Sequence, residues 1–227
     1  MKNKIKQFLN KFGLYKTTQK IISKIYYPYK NYKIKKEASG ILSILKKTFD
    51  KNCEDYWLDY GTLLGFVRDG KIIGHDIDMD FGIKINNGVV LAKQLGNYGF
   101  KLTQQTIVDG KITTEMYLYK GVGFDIFYYF DEDNKVVTYP WLTSDHSVPQ
   151  KIAYEQNRGE LSRTVFTKFA TKEIEFYGIK FRVPEDSDRY LKEHFGDDYM
   201  IPNPNWGFED EKNRKPINRD YKVIFYE

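Results

Sequence analysis

The sequence alternates acidic and apolar side chains in one short stretch, His75-Asp76-Ile77-Asp78-Met79-Asp80-Phe81. Successive side chains of an extended chain point to opposite faces, so the pattern predicts three aspartates on one face. The apolar residues between them would lie on the other face, buried in the protein interior. We therefore expect an extended run through Ile83 with a row of carboxylates on one side and core residues on the other.

A row of carboxylates on one face is costly, because like charges repel unless a cation or a basic partner compensates. A divalent metal ion is the simplest compensation. Oxygen ligands with no cysteine nearby favour Mg²⁺ or Mn²⁺ over Zn²⁺. The alternative is a surface turn whose acids are fully solvated. The apolar residues between the acids favour the metal site, since they require a buried opposite face.

A second feature lies upstream, where a strand predicted over residues 56–60 ends at Gly61-Thr62, ahead of a short helix from Leu63 to Arg68. Glycine lets a backbone approach a phosphate closely, and the first amides of a helix supply donors to its oxygens. Many such junctions are only helix caps. Arg68 is a candidate to neutralise a phosphate, and a surface pair with Asp69 is the alternative.

A further acid, Asp125, lies among apolar residues in the stretch Gly123-Phe124-Asp125-Ile126-Phe127. A buried aspartate needs a partner, and a metal-binding cluster on a neighbouring strand would provide one. The alternative is a structural aspartate that accepts a hydrogen bond from a backbone amide.

Periodicity predicts an α+β fold with a mixed β-sheet flanked by helices. We expect helices at 34–51, 88–98 and 187–195, the last capped by Ser187 and ended by Gly196. Strands are expected at 111–119, 123–129 and 135–138, with a hairpin that turns near Gly178. We divide the chain into a basic helical leader (1–33), a catalytic core (34–150) and a C-terminal extension (151–227) that packs on the core, with an irregular tail from Asn203 wrapping the surface.

Composition limits the class of protein. The chain has 227 residues, 41% of them hydrophobic, which is enough for one sizeable core. The single cysteine, Cys53, excludes an intramolecular disulfide and predicts a cytoplasmic protein. No stretch reaches the roughly 18 apolar residues that a membrane-spanning helix needs.

The basic residues are unevenly distributed. Residues 1–36 contain eleven lysines and no Asp, Glu or Arg, which leaves 25 basic against 31 acidic residues in positions 37–227. Residues 1–30 can form amphipathic helices that contact anionic lipid, or helices that pack on the domain, and the sequence leaves both open. Nucleic-acid binding is not favoured, because the leader lacks Arg and the acidic body would repel phosphate.

A family resemblance follows from the longer motifs. The string from Trp57 to Gly65 (WLDYGTLLG), then Arg68-Asp69-Gly70 and Asp76–Asp80, resembles the LicD family, which includes bacterial phosphocholine transferases and fukutin-type ribitol-phosphate transferases. The resemblance continues to Pro202 through the following segments: Phe124–Phe127, Phe176–Gly178, Val183-Pro184, Tyr190-Leu191 and Phe195–Pro202. Two features depart from the family pattern: Gly74-His75 stands where a Pro-Trp pair is common, and the cysteine-rich zinc loop of the fukutin-type relatives is absent.

The resemblance implies a nucleotidyltransferase-like fold and a reaction. A CDP-linked alcohol would be the donor, and a hydroxyl of a sugar or glycan, lipid-linked or free, would attack the phosphorus that bears the alcohol and release CMP. If residues 1–30 bind lipid, the enzyme would work at the inner membrane face.

The resemblance also implies roles for residues. Asp78 and Asp80 would hold Mg²⁺ across the diphosphate, and Asp76 would complete the set of ligands. Asp125 would bind a second metal ion or receive the proton of the hydroxyl. The phosphates would be steadied by Gly61, Thr62, Arg68 and His75.

Two alternatives remain open at this level. The same fold and metal could serve attack on the α-phosphate of a nucleoside triphosphate, with release of pyrophosphate. The chain could also be a non-catalytic module that binds a membrane surface through its basic leader.

Overall fold

A computed structural model describes residues 15–74, 76–85, 90–143, 148–203 and 206–226, with side chains from Pro28 onward. Its first element is the long helix α1 (Tyr15–Asn52), which runs without a break through residues 33 and 34, where the sequence suggested a boundary. The predicted apolar stripe is buried, since Ala38, Ile41, Leu42, Leu45 and Phe49 have no exposed surface. No helix in the described residues is both long enough and apolar enough to cross a membrane.

The main sheet has six strands in the order β1-β2-β5-β4-β3-β13. Neighbouring strands are antiparallel except β2 and β5, which run parallel. Helices α2 (Tyr60–Asp69) and α3 (Leu91–Gly96) follow β1 and β2. The strands are β1 (Cys53–Leu58), β2 (Asp80–Ile85), β3 (Lys101–Val108), β4 (Lys111–Tyr119), β5 (Val122–Tyr128) and β13 (Tyr221–Phe225).

Two smaller sheets flank the main one. The larger of them has the strand order β12-β9-β7-β6, with β8 also paired to β9. The other is the hairpin β10–β11, which turns at Tyr177 and Gly178, both with positive φ. The remaining elements are β6 (Phe130–Glu132), β7 (Lys135–Thr138), β8 (Trp141–Leu142), α4 (Gln150–Glu155), β9 (Glu160–Thr167), β10 (Thr171–Phe176), β11 (Ile179–Pro184), α5 (Ser187–Phe195), a 3₁₀ helix (Phe208–Asp210) and β12 (Arg214–Pro216).

Aromatic side chains join these elements into one core. Phe81 on β2 packs against Phe49 of α1, with ring centroids 6.3 Å apart, and against Phe181 of β11 at 5.5 Å. Tyr190 and Leu191 of α5 are buried in the same cluster. Residues from both ends of the chain therefore pack on the central sheet.

The α+β fold is confirmed, and β4, β7 and the hairpin turn lie where the sequence predicted them. The tail was predicted as irregular, and that prediction is wrong: β12 and β13 pair with β9 and β3. The last helix is capped by Asp186, whose carboxylate accepts from Arg189 N at 3.1 Å, and not by Ser187.

The acidic stretch also differs from its predicted form. Strand β2 starts at Asp80, where pairing with β5 begins, and residues 76–79 precede it as a loop. Met79 and Phe81 are buried as predicted. Ile77 is only half-buried and lines a cavity, because the chain ahead of the strand does not keep strict alternation.

Helix α2 starts earlier than expected, so Gly61-Thr62 lies in its first turn rather than ahead of it. The cause is Asp59, which adopts an extended conformation and caps the helix by accepting from Tyr60 N at 2.9 Å.

Candidate active site

A cavity of about 830 Å³ opens between the start of α2, the β2–β5 pair and the segment that follows α5. Its walls include all four of the aspartates singled out from the sequence, namely Asp76, Asp78, Asp80 and Asp125. A volume of this size is typical of pockets for nucleotide-sized ligands. The structure therefore brings together acids from two separated parts of the chain.

The parallel pairing of β2 with β5 places Asp80 directly beside Asp125. Residues in register on neighbouring strands point to the same face, so both carboxylates are directed into the cavity. The approach to the strand is held by two backbone bonds, from Met79 N to Gly123 O at 3.2 Å and from Asp125 N to Met79 O at 2.8 Å. The positions of these two acids are thus fixed by the sheet.

Gly61 provides the space between two of the acids. A β-carbon built on Gly61 would lie 3.2 Å from Asp76 Oδ2 and 3.4 Å from Asp80 Oδ2. Both carboxylates therefore converge on the volume directly above this glycine. Any larger residue would occupy the space in which a ligand could bridge the two acids.

Burial, and after it the charges of neighbouring acids, raise the pKa values of Asp76, Asp80 and Asp125. Burial raises the pKa of Asp80 well above its usual value, and the charges of Asp78, Asp125 and Asp76 add to the effect. Burial and the charge of Asp78 do the same to Asp125. The pKa of Asp76 rises to about 7 through burial and the charge of Asp78, partly opposed by Arg68. The group therefore resists full ionisation unless a cation joins it.

The donor set fits a magnesium ion that is shared with a substrate. Within the described ranges, no group of three or more His, Cys, Asp or Glu side chains is arranged to hold a metal ion by itself. Mg²⁺ usually takes only one or two carboxylates and completes its octahedral shell with water and phosphate oxygens. Repelling carboxylates that open onto a cavity, with oxygen donors alone, suit that mode of binding.

The remaining predicted site residues are Thr62, Arg68 and His75. Thr62 is fully buried and does not line the cavity, and its Oγ1 accepts from Asp80 N at 2.8 Å, so this hydroxyl positions the start of β2. Its contact with phosphate stays a prediction. Arg68 does line the cavity, and it also pairs with Asp69 through an Nε–Oδ2 distance of 3.3 Å. His75 lies outside the described residues.

The opposite wall of the cavity, which was not predicted from the sequence, comes from the end of α5 and the segment after it. Phe195, Trp206 and Phe208 form a row with centroid distances of 5.0 Å and 6.2 Å. Trp206 and Phe208 in the polar tail from Asn203 were an available signal, but the tail was assigned to the surface. Charged and polar members of this wall are Asp198, Tyr199, Asp210 and Lys212.

A second missed residue is Asp59, which lies below the site. Its carboxylate accepts from Tyr129 Oη and Tyr190 Oη, each at 2.7 Å, and its own amide donates to Asp80 O at 3.0 Å. Burial raises its pKa to about 6, against the effect of these hydrogen bonds. Asp59 therefore joins the start of α2, the start of β2 and helix α5.

Comparison with known proteins identifies the class of this domain. A family model described as "LicD/FKTN/FKRP, nucleotidyltransferase domain" matches residues 54–186, so the chain contains a nucleotidyltransferase domain of this type. The match covers more than half of the sequence, and the chain belongs to the LicD family.

Relatives include named transferases. The chain is 28% identical over 191 residues to ribitol-5-phosphate transferase FKTN of Macaca fascicularis and 27% identical over 191 residues to the Homo sapiens protein of that name. Each alignment covers 81% of this chain but 37% of the relative, so the chain spans little more than a third of the length of these transferases. An uncharacterized protein of Rickettsia prowazekii is 28% identical over 156 residues, which cover 66% of this chain and 53% of that protein.

Proposed function

We propose that this protein is a metal-dependent phosphotransferase that moves an alcohol phosphate, such as ribitol phosphate or phosphocholine, from a CDP-linked donor to a hydroxyl of a glycan. The observation that carries the proposal is the convergence of four aspartates on one cavity. Membership of the LicD family and the similarity to ribitol-5-phosphate transferases support the choice of donor.

The diphosphate of the donor would bind at the acidic end of the cavity. Asp78 and Asp80 would hold Mg²⁺ or Mn²⁺ together with phosphate oxygens, and Asp76 would complete the set of ligands or tune it from beside the ion. The bound cation would supply positive charge against the phosphate oxygens and the carboxylates. Gly61 leaves the room that the bridging group needs, and Arg68 supplies a second positive charge on the cavity wall.

The acceptor hydroxyl would attack the phosphorus that carries the alcohol. A new P–O bond to the acceptor forms as the P–O bond to CMP breaks, and CMP leaves with the electron pair. Asp125 would receive the proton, because its raised pKa makes it a stronger base than an ordinary aspartate. The same residue could instead bind a second metal ion, as the family resemblance allows.

The aromatic wall would orient the rest of the ligands. The rings of Phe195, Trp206 and Phe208 offer flat apolar faces on which a cytosine base or a sugar ring can stack. Lys212 adds a cation on the same wall, opposite in charge to a phosphate. Donor and acceptor could therefore share one cavity.

The decisive experiment is a donor panel. The full chain with Mg²⁺ is incubated with CDP-ribitol, CDP-choline, CDP-glycerol, CTP or ATP, each with and without a set of glycans, while CMP and pyrophosphate are quantified. We expect acceptor-dependent release of CMP from one CDP-alcohol. Pyrophosphate alone would instead support attack on the α-phosphate of a nucleoside triphosphate.

Matched variants separate chemistry from folding. Asp125→Asn is expected to reduce transfer at least a hundredfold, whereas Asp109→Asn, an exposed change at the β3–β4 turn, should leave transfer unchanged. If the double variant Asp78→Ala, Asp80→Ala bound Mg²⁺ as the wild type does, the catalytic proposal would be wrong and a non-catalytic membrane-binding module would become the better description.

Contact with a membrane through residues 1–30 stays a prediction. Residues 1–14 lie outside the described structure, and side chains are described only from Pro28. Sedimentation with vesicles that contain anionic lipid tests it, with a chain that lacks residues 1–27 as the comparison. Equal sedimentation of the two chains would contradict lipid binding by the leader.

A further inference from the structure

The strand register fixes the order of side chains across the floor of the cavity. Asp80 on β2 pairs with Asp125 on β5, and Asp125 pairs with Met116 on β4. Side chains in register share a face, and neighbouring strands lie about 5 Å apart. Asp125 therefore lies between Asp80 and Met116, and the cavity continues beyond the acids over β4.

The two sides of this acid pair differ in charge. On the side of α2, a β-carbon on Gly61 would contact Asp76 and Asp80, and Arg68 lines the cavity. On the side of β4, every described residue of the wall is uncharged. This surface, the β4–β8 wall, consists of Thr114, Met116, residues 140–143 and Gln150.

Lys212, the other cation among the described residues that line the cavity, is not part of the β4–β8 wall. A β-carbon on Gly196 would lie 3.4 Å from Lys212 Cε, so this lysine lies beside the end of α5. The end of α5 packs against the start of α2, since the ring centroids of His194 and Tyr60 are 4.7 Å apart. Both cations that can face a phosphate therefore come from α2 and from beside α5.

The β4–β8 wall combines polar groups with an aromatic ring. Thr114 supplies a hydroxyl and Gln150 an amide. Trp141 packs edge-on against Tyr154 with ring centroids 5.5 Å apart, and a β-carbon on Gly159 would overlap its indole, so the glycine leaves room for the ring. Uncharged donors and acceptors beside an aromatic face suit a ligand that carries hydroxyl groups on an apolar frame, such as a sugar.

We propose that the β4–β8 wall is the acceptor subsite and that the sugar it takes is uncharged. The inference rests on the proposed function, because it assumes that the diphosphate of the donor lies beside α2 with Arg68. In phosphoryl transfer the attacking and leaving oxygens lie roughly in line with the phosphorus. The acceptor hydroxyl must then approach from the side opposite to the leaving CMP, over Asp125 and Met116.

Binding of simple sugars to the full chain tests the subsite without any transfer. Ligand-observed NMR uses methyl galactoside and methyl N-acetylglucosaminide as neutral probes and methyl glucuronide as the anionic probe, each with and without CMP and Mg²⁺. We expect at least one neutral probe to bind more strongly than methyl glucuronide, because an anion beside Asp125 meets no cation on this wall. Equal or stronger binding of methyl glucuronide, or no binding of any probe, would overturn the proposal.

Matched variants locate the binding. Thr114→Val and Gln150→Ala should each weaken binding of the neutral probe roughly three- to tenfold, the size of one lost hydrogen bond. The controls are Thr138→Val, a buried hydroxyl of β7, and Gln156→Ala, an exposed amide at the other end of α4; neither residue lines the cavity, and both variants should bind like the wild type. Equal losses in the variants and the controls would contradict the assignment.

Two-substrate kinetics separate this inference from the proposed function. Thr114→Val and Gln150→Ala should raise the KM for the glycan and leave the KM for the CDP-alcohol unchanged, and Arg68→Met should do the reverse. If the wild type releases no CMP from any donor, the proposed function fails, while the NMR measurements still decide whether the wall binds a sugar. If transfer occurs and the KM for the glycan is unchanged in both wall variants, the function stands and the acceptor subsite is wrong.

Discussion

Asp80 is a site residue whose burial among other acids lowers the stability of the folded protein at neutral pH. Its folded pKa lies well above the unfolded value of 3.8, first because it is buried and then because of its neighbours' charges. A carboxyl group with a raised pKa contributes stability that is fully present below its unfolded pKa and is lost as the pH rises through the folded pKa. At neutral pH, Asp80 therefore lowers the free energy of unfolding.

We predict that Asp80→Asn raises the melting temperature at pH 7.5 in the absence of Mg²⁺ by roughly 2–4 °C, equivalent to about 1 kcal/mol. The amide removes one negative charge from the cluster and keeps the shape of the side chain. The same variant should lose any stabilisation by Mg²⁺ and all measurable transfer. Differential scanning fluorimetry with and without Mg²⁺ checks the first two points. A lower melting temperature in metal-free buffer would contradict the expected repulsion.

Glu211 permits a second prediction at this scale. Its side chain is buried, its oxygens have no hydrogen-bond partner among the described residues, and burial raises its pKa from 4.5 to about 8 despite Arg214 at 3.6 Å. The stability that this group contributes is present below pH 4.5 and is lost as the pH rises through about 8.

Glu211→Gln should therefore match the wild type in stability near pH 4.5 and exceed it increasingly toward pH 8. Chemical denaturation across this pH range measures the difference. Glu185→Gln, at an exposed position that is not among the charges acting on Glu211, is the control and should follow the wild type throughout. A difference that stays constant with pH would show that Glu211 is ionised in the folded protein.

The sequence predicted which acidic residues lie close together, but it did not predict the hydrogen bonds that surround them. Alternation predicted that Asp76, Asp78 and Asp80 share one face; all three line the cavity, although Ile77 between them lines it too. Thr62 was assigned to phosphate because it follows Gly61 just ahead of the predicted helix, where backbone amides can donate to phosphate oxygens. Packing against β2 buries the Thr62 hydroxyl, which accepts from the Asp80 amide.

At the level of elements, the first turn of α2 has two roles: it starts the helix, and Gly61 within it leaves space beside the acids of the site. We predict that Gly61→Ala leaves the fold stable, because alanine favours a helix by up to about 1 kcal/mol over glycine. The added methyl group would occupy the space between Asp76 and Asp80, so transfer and Mg²⁺ binding should fall at least tenfold.

Gly40→Ala is the matched control, since Gly40 lies in α1 with no atom within 4 Å of an added β-carbon. Its melting temperature should rise and its activity should not change. Melting curves and initial rates of both variants test the contrast. Full activity in Gly61→Ala would mean that the volume above Gly61 is not used by the ligands.

Elements with clear periodicity were predicted well, and polar strands were not. The strand β3 was missed, because its sequence KLTQQTIV alternates weakly and places two glutamines in the interior. Gln105 is buried beside Glu115, to which its Nε2 donates at 2.6 Å. The pairing of Gln105 with Glu115 satisfies a polar side chain inside the protein, so burial of β3 is not visible as a hydrophobic pattern in its sequence.

For the whole molecule, the segment that matches the family model, residues 54–186, is shorter than the segment that forms the hydrophobic core. Residues 54–186 exclude α1, with the buried Ile41, Leu45 and Phe49, and α5, with the buried Tyr190 and Leu191. We predict that a fragment of residues 54–186 shows no cooperative thermal transition, because its sheet loses apolar cover on one side.

Circular dichroism during heating tests this prediction. A fragment of residues 28–226 is the positive control and should melt cooperatively, since it keeps every buried residue named above. Cooperative melting of the shorter fragment would show that the central sheet is stable without its flanking helices.

The division of the chain into leader, core and extension reflects composition, which changes near residue 36. Packing does not follow that change, because α1 carries both lysines and core residues. The wall formed by Phe195, Trp206 and Phe208 likewise depends on contacts between distant segments. Neither charge nor local periodicity contains information on such contacts.

The parallel pairing of β2 with β5 has a kinetic consequence. The chain between these strands forms α3 and the β3–β4 hairpin, so the contact of Asp80 with Asp125 closes a longer stretch of chain than the hairpin does. Close approach of the acids should therefore come late on the folding pathway, after the transition state. A cation that binds the cluster would then slow unfolding and leave the refolding rate unchanged, as stopped-flow measurements in denaturant can show. Faster refolding in Mg²⁺ would indicate instead that the acids assemble early.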